Sequence, residues 1–199
     1  NYPTMITRLL LGVLLVGCTI ASNDKEIENN QDVSINKQQE EEPPQLIADG
    51  FDYPVGKPDA NGYYNAQPYG RNTHLGDDWN GLGGGDSDLG DPIYNIAHGK
   101  VVYAEDFGGA WGNVIRIVHY LPDSSKVESL YAHCDTIMVA KGNWVKRGVQ
   151  IATIGNNHGG YPAHLHLELR DDLTLPIGKG YSSQTEGYLN PTEFVKNHR

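Results

Sequence analysis

Eight residues near one end of the chain, Ala163-His164-Leu165-His166-Leu167-Glu168-Leu169-Arg170, alternate apolar and polar without a break. A period of two belongs to a strand and not to a helix. This run is therefore extended, with Leu165, Leu167 and Leu169 toward a core and residues 164, 166, 168 and 170 on the other side. Two imidazoles, His164 and His166, then share one open face. A His-x-His pair on a strand can supply two metal ligands, or one ligand and one group that acts beside it. Alone, the pair fits plain surface histidines equally well.

The chain around this run reads the same way. From Phe51 onward, short stretches rich in β-branched and aromatic residues are punctuated by Gly, Pro and Asn, which marks strands at 92–97, 100–104, 113–120, 127–133, 149–154 and 163–170. With 24 Gly, 11 Pro and 12 Tyr in 199 residues, the composition suits loop-rich antiparallel β structure better than a helical bundle. One helix is expected, over 192–197. Asn190 stands as N-cap, Pro191 at the first position and Glu193 at the third, while Phe194 and Val195 can pin it to the sheet. No repeat of solenoid or propeller period is present.

Three segments follow from the composition. Residues 1–17 read as an export signal, because Arg8 precedes an apolar run over 9–17 that is too short to span a bilayer. The run closes on Leu15-Val16-Gly17-Cys18, which resembles a bacterial lipobox and makes Cys18 the lipid-bearing first residue of the mature chain. That setting argues against a disulfide with Cys134. Residues 18–48 are polar and acidic and are expected to form a disordered tether between a membrane anchor and a domain over 49–199. The formal charge of −10 and the lack of clustered Lys and Arg exclude nucleic acid as a partner.

Two further elements carry chemistry. His74-Leu75-Gly76-Asp77-Asp78 offers nitrogen and oxygen donors, with a glycine allowing a tight backbone between them. His74, one of the two aspartates and one of His164 and His166 would make three protein ligands and leave an open position, the pattern of catalytic zinc. Leu130-Tyr131-Ala132-His133 ends a β-like run in which Tyr131 and His133 share a face. Asp86, Asp88 and Asp91 fall short of a complete calcium loop. His98 and His158 read as turn residues, His198 lies near the end, and His119 sits on a strand, where it could orient a metal-site group.

Taken together, His74-x-x-x-Asp78, Tyr131-x-His133 and His164-x-His166, in that order, resemble the lysostaphin/LytM-type zinc metalloendopeptidases. The likeness runs from about Phe51 to Phe194. It is supported by the run from Gly90 to Tyr94, by Gly99-Lys100-Val101-Val102, by Gly112-Asn113-Val114-Ile115 and by a Gly-x-x-Val-x-x-Gly-x-x-Ile pattern over 142–151. Cys134 departs from the leucine usual after that histidine, and Gly81 to Asp86 lengthens the loop after the first motif.

The resemblance implies antiparallel β-sheets forming a groove, of the duplicated hybrid motif type, with a short C-terminal helix. It implies His74, Asp78 and His166 as zinc ligands and His133 and His164 as catalytic histidines. It further implies an endopeptidase acting on the peptides of bacterial peptidoglycan in cell-wall remodelling, held in the cell envelope by lipid on Cys18, in the outer membrane if the host is Gram-negative. The groove is expected between loops 81–91, 106–111 and 156–162, with Trp111 and Tyr161 lining it. The alternative is a non-catalytic peptidoglycan-binding regulator of other wall hydrolases. Which bond is cut, and which of the two histidines acts as base, are not legible.

Overall fold

The computed structural model of the protein describes residues 45–199. The export signal, Cys18 and most of the acidic tether lie outside the described residues. The tether expected over 18–48 stops short of 48: Ile47 bridges Tyr120, and Ala48 is buried, its amide donating to the Tyr120 carbonyl at 2.8 Å.

Ten strands follow in chain order: β1 (Tyr63–Gln67), β2 (Asp77–Gly81), β3 (Pro92–Tyr94), β4 (Gly99–Gly108), β5 (Gly112–Tyr120), β6 (Lys126–Ile137), β7 (Trp144–Val145), β8 (Gln150–Ile154), β9 (Leu165–Arg170) and β10 (Tyr188–Leu189). The expected strands at 92–97, 100–104, 113–120, 127–133, 149–154 and 163–170 correspond to β3, β4, β5, β6, β8 and β9. The structure adds β1 and β2, and the two-residue β7 and β10, which carry no alternation of their own.

The ten described strands pair antiparallel throughout, and the main path runs β1-β2-β9-β6-β5-β4-β7. Strand β8 joins β3 to the far part of β6, and β10 extends the end of β9. The helix α1 (Pro191–Asn197) closes the chain, and the Asn190 side chain accepts from the Glu193 amide at 3.1 Å, the N-cap contact its sequence announces.

One face of the sheet carries the main core. Leu165, Leu167 and Leu169 of β9 pack there with Tyr131, Ile115, Ile117, Ile151, Ile154, Trp79 and Val195, nearly all fully buried. The opposite face is not open, as alternation alone suggests. His166, Glu168 and Arg170 are at most 3% exposed, so β9 is buried on both sides. The cover comes from the segment around Ile177, which packs with Val114, Leu130 and Ala132 in a second, smaller apolar cluster.

Charged side chains on this second face neutralise one another in a row. Arg116 Nε donates to Glu128 at 2.7 Å, Arg170 lies 3.8 Å from Glu128 and donates through Nε to Glu168 at 3.0 Å, and Glu168 reaches His166 at 3.1 Å. Buried charges persist only when paired in this way.

Candidate active site

His74 leaves a short 3-10 turn (Arg71–Thr73), forms a bridge with Tyr181 and is buried. Two residues later Gly76 passes so close to β9 that an added Cβ would meet the Leu167 carbonyl oxygen and lie 3.0 Å from Glu168 Cγ and His166 Cε1. Only glycine permits that approach. It sets Asp78 of β2 directly opposite His166 of β9. Asp77, the competing aspartate, points elsewhere: it accepts from the Tyr69 amide at 2.9 Å and from the amide and hydroxyl of Thr192 at 3.0 and 2.6 Å.

His74, Asp78 and His166 therefore meet. His74 Nε2 is 3.0 Å from His166 Nδ1, and Asp78 Oδ1 is 2.8 Å from His166 Nδ1 and 3.3 Å from His74 Nε2. The outer nitrogen of each ring is engaged as well. His74 Nδ1 donates to the Gln67 carbonyl at 3.0 Å and His166 Nε2 donates to Glu168 at 3.1 Å, so each ring turns its other nitrogen inward beside a carboxylate oxygen. The three donor atoms lie within 4.8 Å of one another, and the donor set of two imidazoles and one carboxylate suits zinc.

Burial opposes charge on His166, but its hydrogen bonds to Asp78 and Glu168 outweigh burial and raise its pKa to about 9. Burial also opposes charge on Asp78, yet its contacts with His166 and His74 pull its carboxyl below the usual range.

His133 reaches the same pocket by a route that alternation does not foresee. Along β6, Tyr131 faces the main core, where its hydroxyl accepts from the Ile96 amide at 3.1 Å, while Leu130 and Ala132 face the second cluster. A regular strand would send His133 to the Tyr131 side. Instead His133 takes φ 62°, where β6 leaves β9 for β8, and this bulge turns its ring onto the face of Ala132 and His166. Tyr131 and His133 thus do not share a face.

His133 Nδ1 lies 3.2 Å from the Trp111 carbonyl and 2.6 Å from Tyr161 Oη, whose own hydroxyl donates to the Ala110 carbonyl at 2.9 Å. Nδ1 accordingly carries the proton. His164 sits one residue before β9 and donates through Nδ1 to the Pro162 carbonyl at 2.8 Å. Neither Nε2 has a hydrogen-bond partner among the described residues, and the two ring centroids are 4.7 Å apart. Burial, then the nearby His166 and His164, push the His133 pKa down to about 3, which keeps this imidazole neutral and able to accept a proton.

A cavity of about 340 Å³ opens over the five residues, walled by Trp111, Tyr161, Gln67 and the stretch from Lys179 to Tyr181. The loops 106–111 and 156–162 contribute to it. Loop 81–91 does not line it and works from behind, Asp86 accepting from the Ala163 amide at 2.7 Å. Asp88 accepts from the Gly81 amide and Asp91 from the Tyr63 hydroxyl, so the three aspartates brace loops. His119 is remote from the site, bonded to the His98 carbonyl at 3.0 Å and Ser129 Oγ at 2.7 Å in the core. Cys134 is buried, which raises its thiol pKa to about 12.

Sequence reasoning missed the wall from 175 to 181 and the two residues that hold it. Arg170 donates to the carbonyls of Pro176 and Ile177, each at 3.0 Å, and Arg116 to that of Leu175 at 3.0 Å. Arg170 is a polar member of the alternating run, which is the one sequence signal that could have marked it, and Arg116 carries none.

An antiparallel sheet with this pocket at the meeting of β2, β6 and β9 defines a class, and the chain belongs to Peptidase family M23, whose sequence model matches residues 81–179. The matched stretch holds His133, His164 and His166, whereas His74 and Asp78 precede it.

Three curated relatives are similar. Lipoprotein NlpD of Yersinia enterocolitica is 41% identical over 81 residues, 41% of this chain and 78% of that protein. Peptidoglycan DD-endopeptidase ShyB of Vibrio cholerae is 35% identical over 103 residues, 48% of this chain and 23% of the relative. Murein hydrolase activator NlpD of Escherichia coli is 40% identical over 81 residues, 41% of this chain and 20% of the relative. The chain thus spans under a third of the latter two. Among solved structures, Helicobacter pylori Csd3 shares the fold, with a TM-score of 0.50 at 20% identity over 73% of this chain and 34% of Csd3.

Proposed function

We propose that this protein is a zinc-dependent endopeptidase that hydrolyses peptide bonds in bacterial peptidoglycan. The observation that carries the reading is the convergence, in one cavity, of a His-Asp-His donor set with two further imidazoles whose Nε2 atoms have no hydrogen-bond partner among the described residues. His74, Asp78 and His166 would hold the metal, which when bound supplies Lewis acidity toward a carbonyl and toward water.

The chain's own residues do the rest. Each free Nε2 is a proton acceptor within the cavity, and once protonated it becomes a donor to a developing oxyanion or to a departing amine. Tyr161 and the Trp111 carbonyl fix His133 in the tautomer that leaves Nε2 available, and the Pro162 carbonyl does the same for His164. Gly76 and Glu168 hold His166 against Asp78. Such pre-set orientation lowers the barrier because no group must be reorganised as charge develops.

The name of the Escherichia coli relative, an activator of murein hydrolases, supports a second reading: a chain that binds the wall without cutting it. Incubating the full chain with purified peptidoglycan, with and without a chelator, separates the two. Metal-dependent appearance of new amino termini is the expected result, and wall binding without new termini would leave the regulator. The lipoprotein names of relatives, with the lipobox ending at Cys18, support an anchored place in the envelope. Cys18→Ser is expected to move the protein from the membrane fraction to the soluble one, and retention of the variant in membranes would oppose the anchor.

A further inference from the structure

The cavity is electrostatically lopsided. Asp78 is among its lining residues, and His133 also borders a separate small recess lined by Asp106 and Asp135. Lys179 is the one lysine or arginine among the residues that line the cavity. Lys179 is exposed and has no ion pair or hydrogen bond among the described residues. In a chain of formal charge −10, a cation left unpaired at the groove is a place where an anionic group gains attraction that the rest of the site denies it.

The backbone that presents this lysine is fixed on both sides. Trp111 Nε1 donates to the Gly178 carbonyl at 3.0 Å, and the Leu75 amide donates to the Gly180 carbonyl at 2.9 Å. Gly178 and Gly180 take φ of 76° and 75°, so Lys179 stands at the apex of a kink that residues with a Cβ would resist. At Gly180 a Cβ would also press on the Trp111 ring, 3.4 Å from Cη2. Behind the kink, Arg170 holds the Ile177 carbonyl at 3.0 Å. The ammonium group therefore hangs on a flexible stem from a rigid base beside the candidate metal ligands.

We infer that Lys179 binds a carboxylate of the substrate peptide. The favoured substrates are cross-links in which a residue flanking the cut amide carries a free carboxylate, as a branched diamino acid does, and not glycine bridges, which have none. This rests on the peptidoglycan-endopeptidase reading above and names the substrate class within it.

The test uses two synthetic cross-linked peptides that differ only in that group, free acid against carboxamide. Each is offered to the full chain and to its Lys179→Gln, Lys179→Arg and Lys179→Glu variants. The unmodified protein is expected to favour the acid by roughly tenfold in kcat/KM, mainly through KM, as suits one charge-assisted contact at a partly exposed site. The ratio should fall near one in Lys179→Gln, survive in Lys179→Arg, invert in Lys179→Glu and shrink with added salt.

A second readout is equilibrium binding of the two peptides to the chelator-treated protein, followed by NMR line shifts at 178–181, which needs no turnover. Equal binding and equal cleavage of acid and amide by the unmodified protein would overturn the inference and leave the endopeptidase reading intact. Acid-selective binding that Lys179→Gln abolishes, with no cleavage of either peptide, would uphold the role of Lys179 and sink the endopeptidase reading.

Discussion

Replacing Glu168 with Ala should damage the fold and the site together, and by separable amounts. The Glu168 carboxylate is fully buried and serves Arg170 on one side and His166 on the other. Its loss leaves the guanidinium of Arg170, also fully buried, with Glu128 at 3.8 Å and the carbonyls of 175–177 as its remaining partners. Stranding one member of a buried pair costs about 3–5 kcal/mol, and the residual help from Glu128 places this case near 3 kcal/mol.

For a domain of this size that is a fall in Tm of about 6–12 °C. At the site, His166 loses the acceptor that fixes its Nδ1 lone pair toward His74 and Asp78, which lowers metal affinity by about 10- to 100-fold. Thermal unfolding of the metal-free protein reads the first effect, and competition with a chromophoric chelator reads the second. A cycle with Arg170→Met isolates the pair and should give a coupling of about 1–3 kcal/mol. A Glu168→Ala protein with unchanged Tm and unchanged zinc affinity would show that Glu168 supports neither Arg170 nor His166. A coupling near zero would show that the buried row is not an interacting chain.

Two further outcomes follow from the same geometry. Burial holds the His119 pKa down to about 4, so the folded ring stays neutral while the unfolded chain takes up a proton below about 6.5. The His119 contribution to stability should therefore be constant above about pH 6.5 and fall by on the order of 3 kcal/mol between about pH 6.5 and 4. His133, also lowered by burial, adds a slope of the same sign, and His166, raised, adds stability lost as pH rises toward about 9. Urea unfolding of His119→Gln should thus show a shallower slope than the unmodified protein by that amount, and an equal slope in the variant would exclude a His119 contribution. Gly76→Ala pushes a methyl against the β9 backbone and the His166 ring, and it should cost about 2–3 kcal/mol and most of the metal affinity; normal zinc binding by a stable Gly76→Ala protein would mean that β2 can shift without loss of the site.

The parts of the fold visible in the sequence are those whose burial is one-sided in composition. Strand β9 announces itself through three leucines in register, and α1 through Asn190, Pro191 and Glu193. Strand β2 stays hidden because Asp77–Gly81 carries polar residues into the interior, where Asp77 serves Thr192 and Asp78 faces His166, and β1 because none of Tyr63–Gln67 is buried. An alternation rule reads such segments as loops. The same rule places Glu168 and Arg170 on an open face, since nothing local tells that residues 175–177 fold back over them.

At the site, the five residues singled out by motif do share one cavity, but the route of His133 into it depends on a left-handed residue at a strand crossover. No periodicity encodes that bulge. Lys179 is equally invisible, because it is one exposed lysine among glycines until the fold brings it to the cavity that Asp78 lines.

His164 and His166, two histidines of one run, do different work at this site. Zinc stoichiometry and turnover of a cross-linked muropeptide, measured on the same preparations of the unmodified protein, His166→Ala and His164→Ala, test it directly. His166→Ala should lose metal and activity together, because it leaves two donors in place of three. His164→Ala should keep zinc at the level of the unmodified protein while turnover falls by roughly 100-fold or more, because it removes a proton-transfer group and no ligand. An empty site in His164→Ala beside a fully metallated His166→Ala would reverse the assignment, and unimpaired turnover by both variants would contradict the catalytic reading itself.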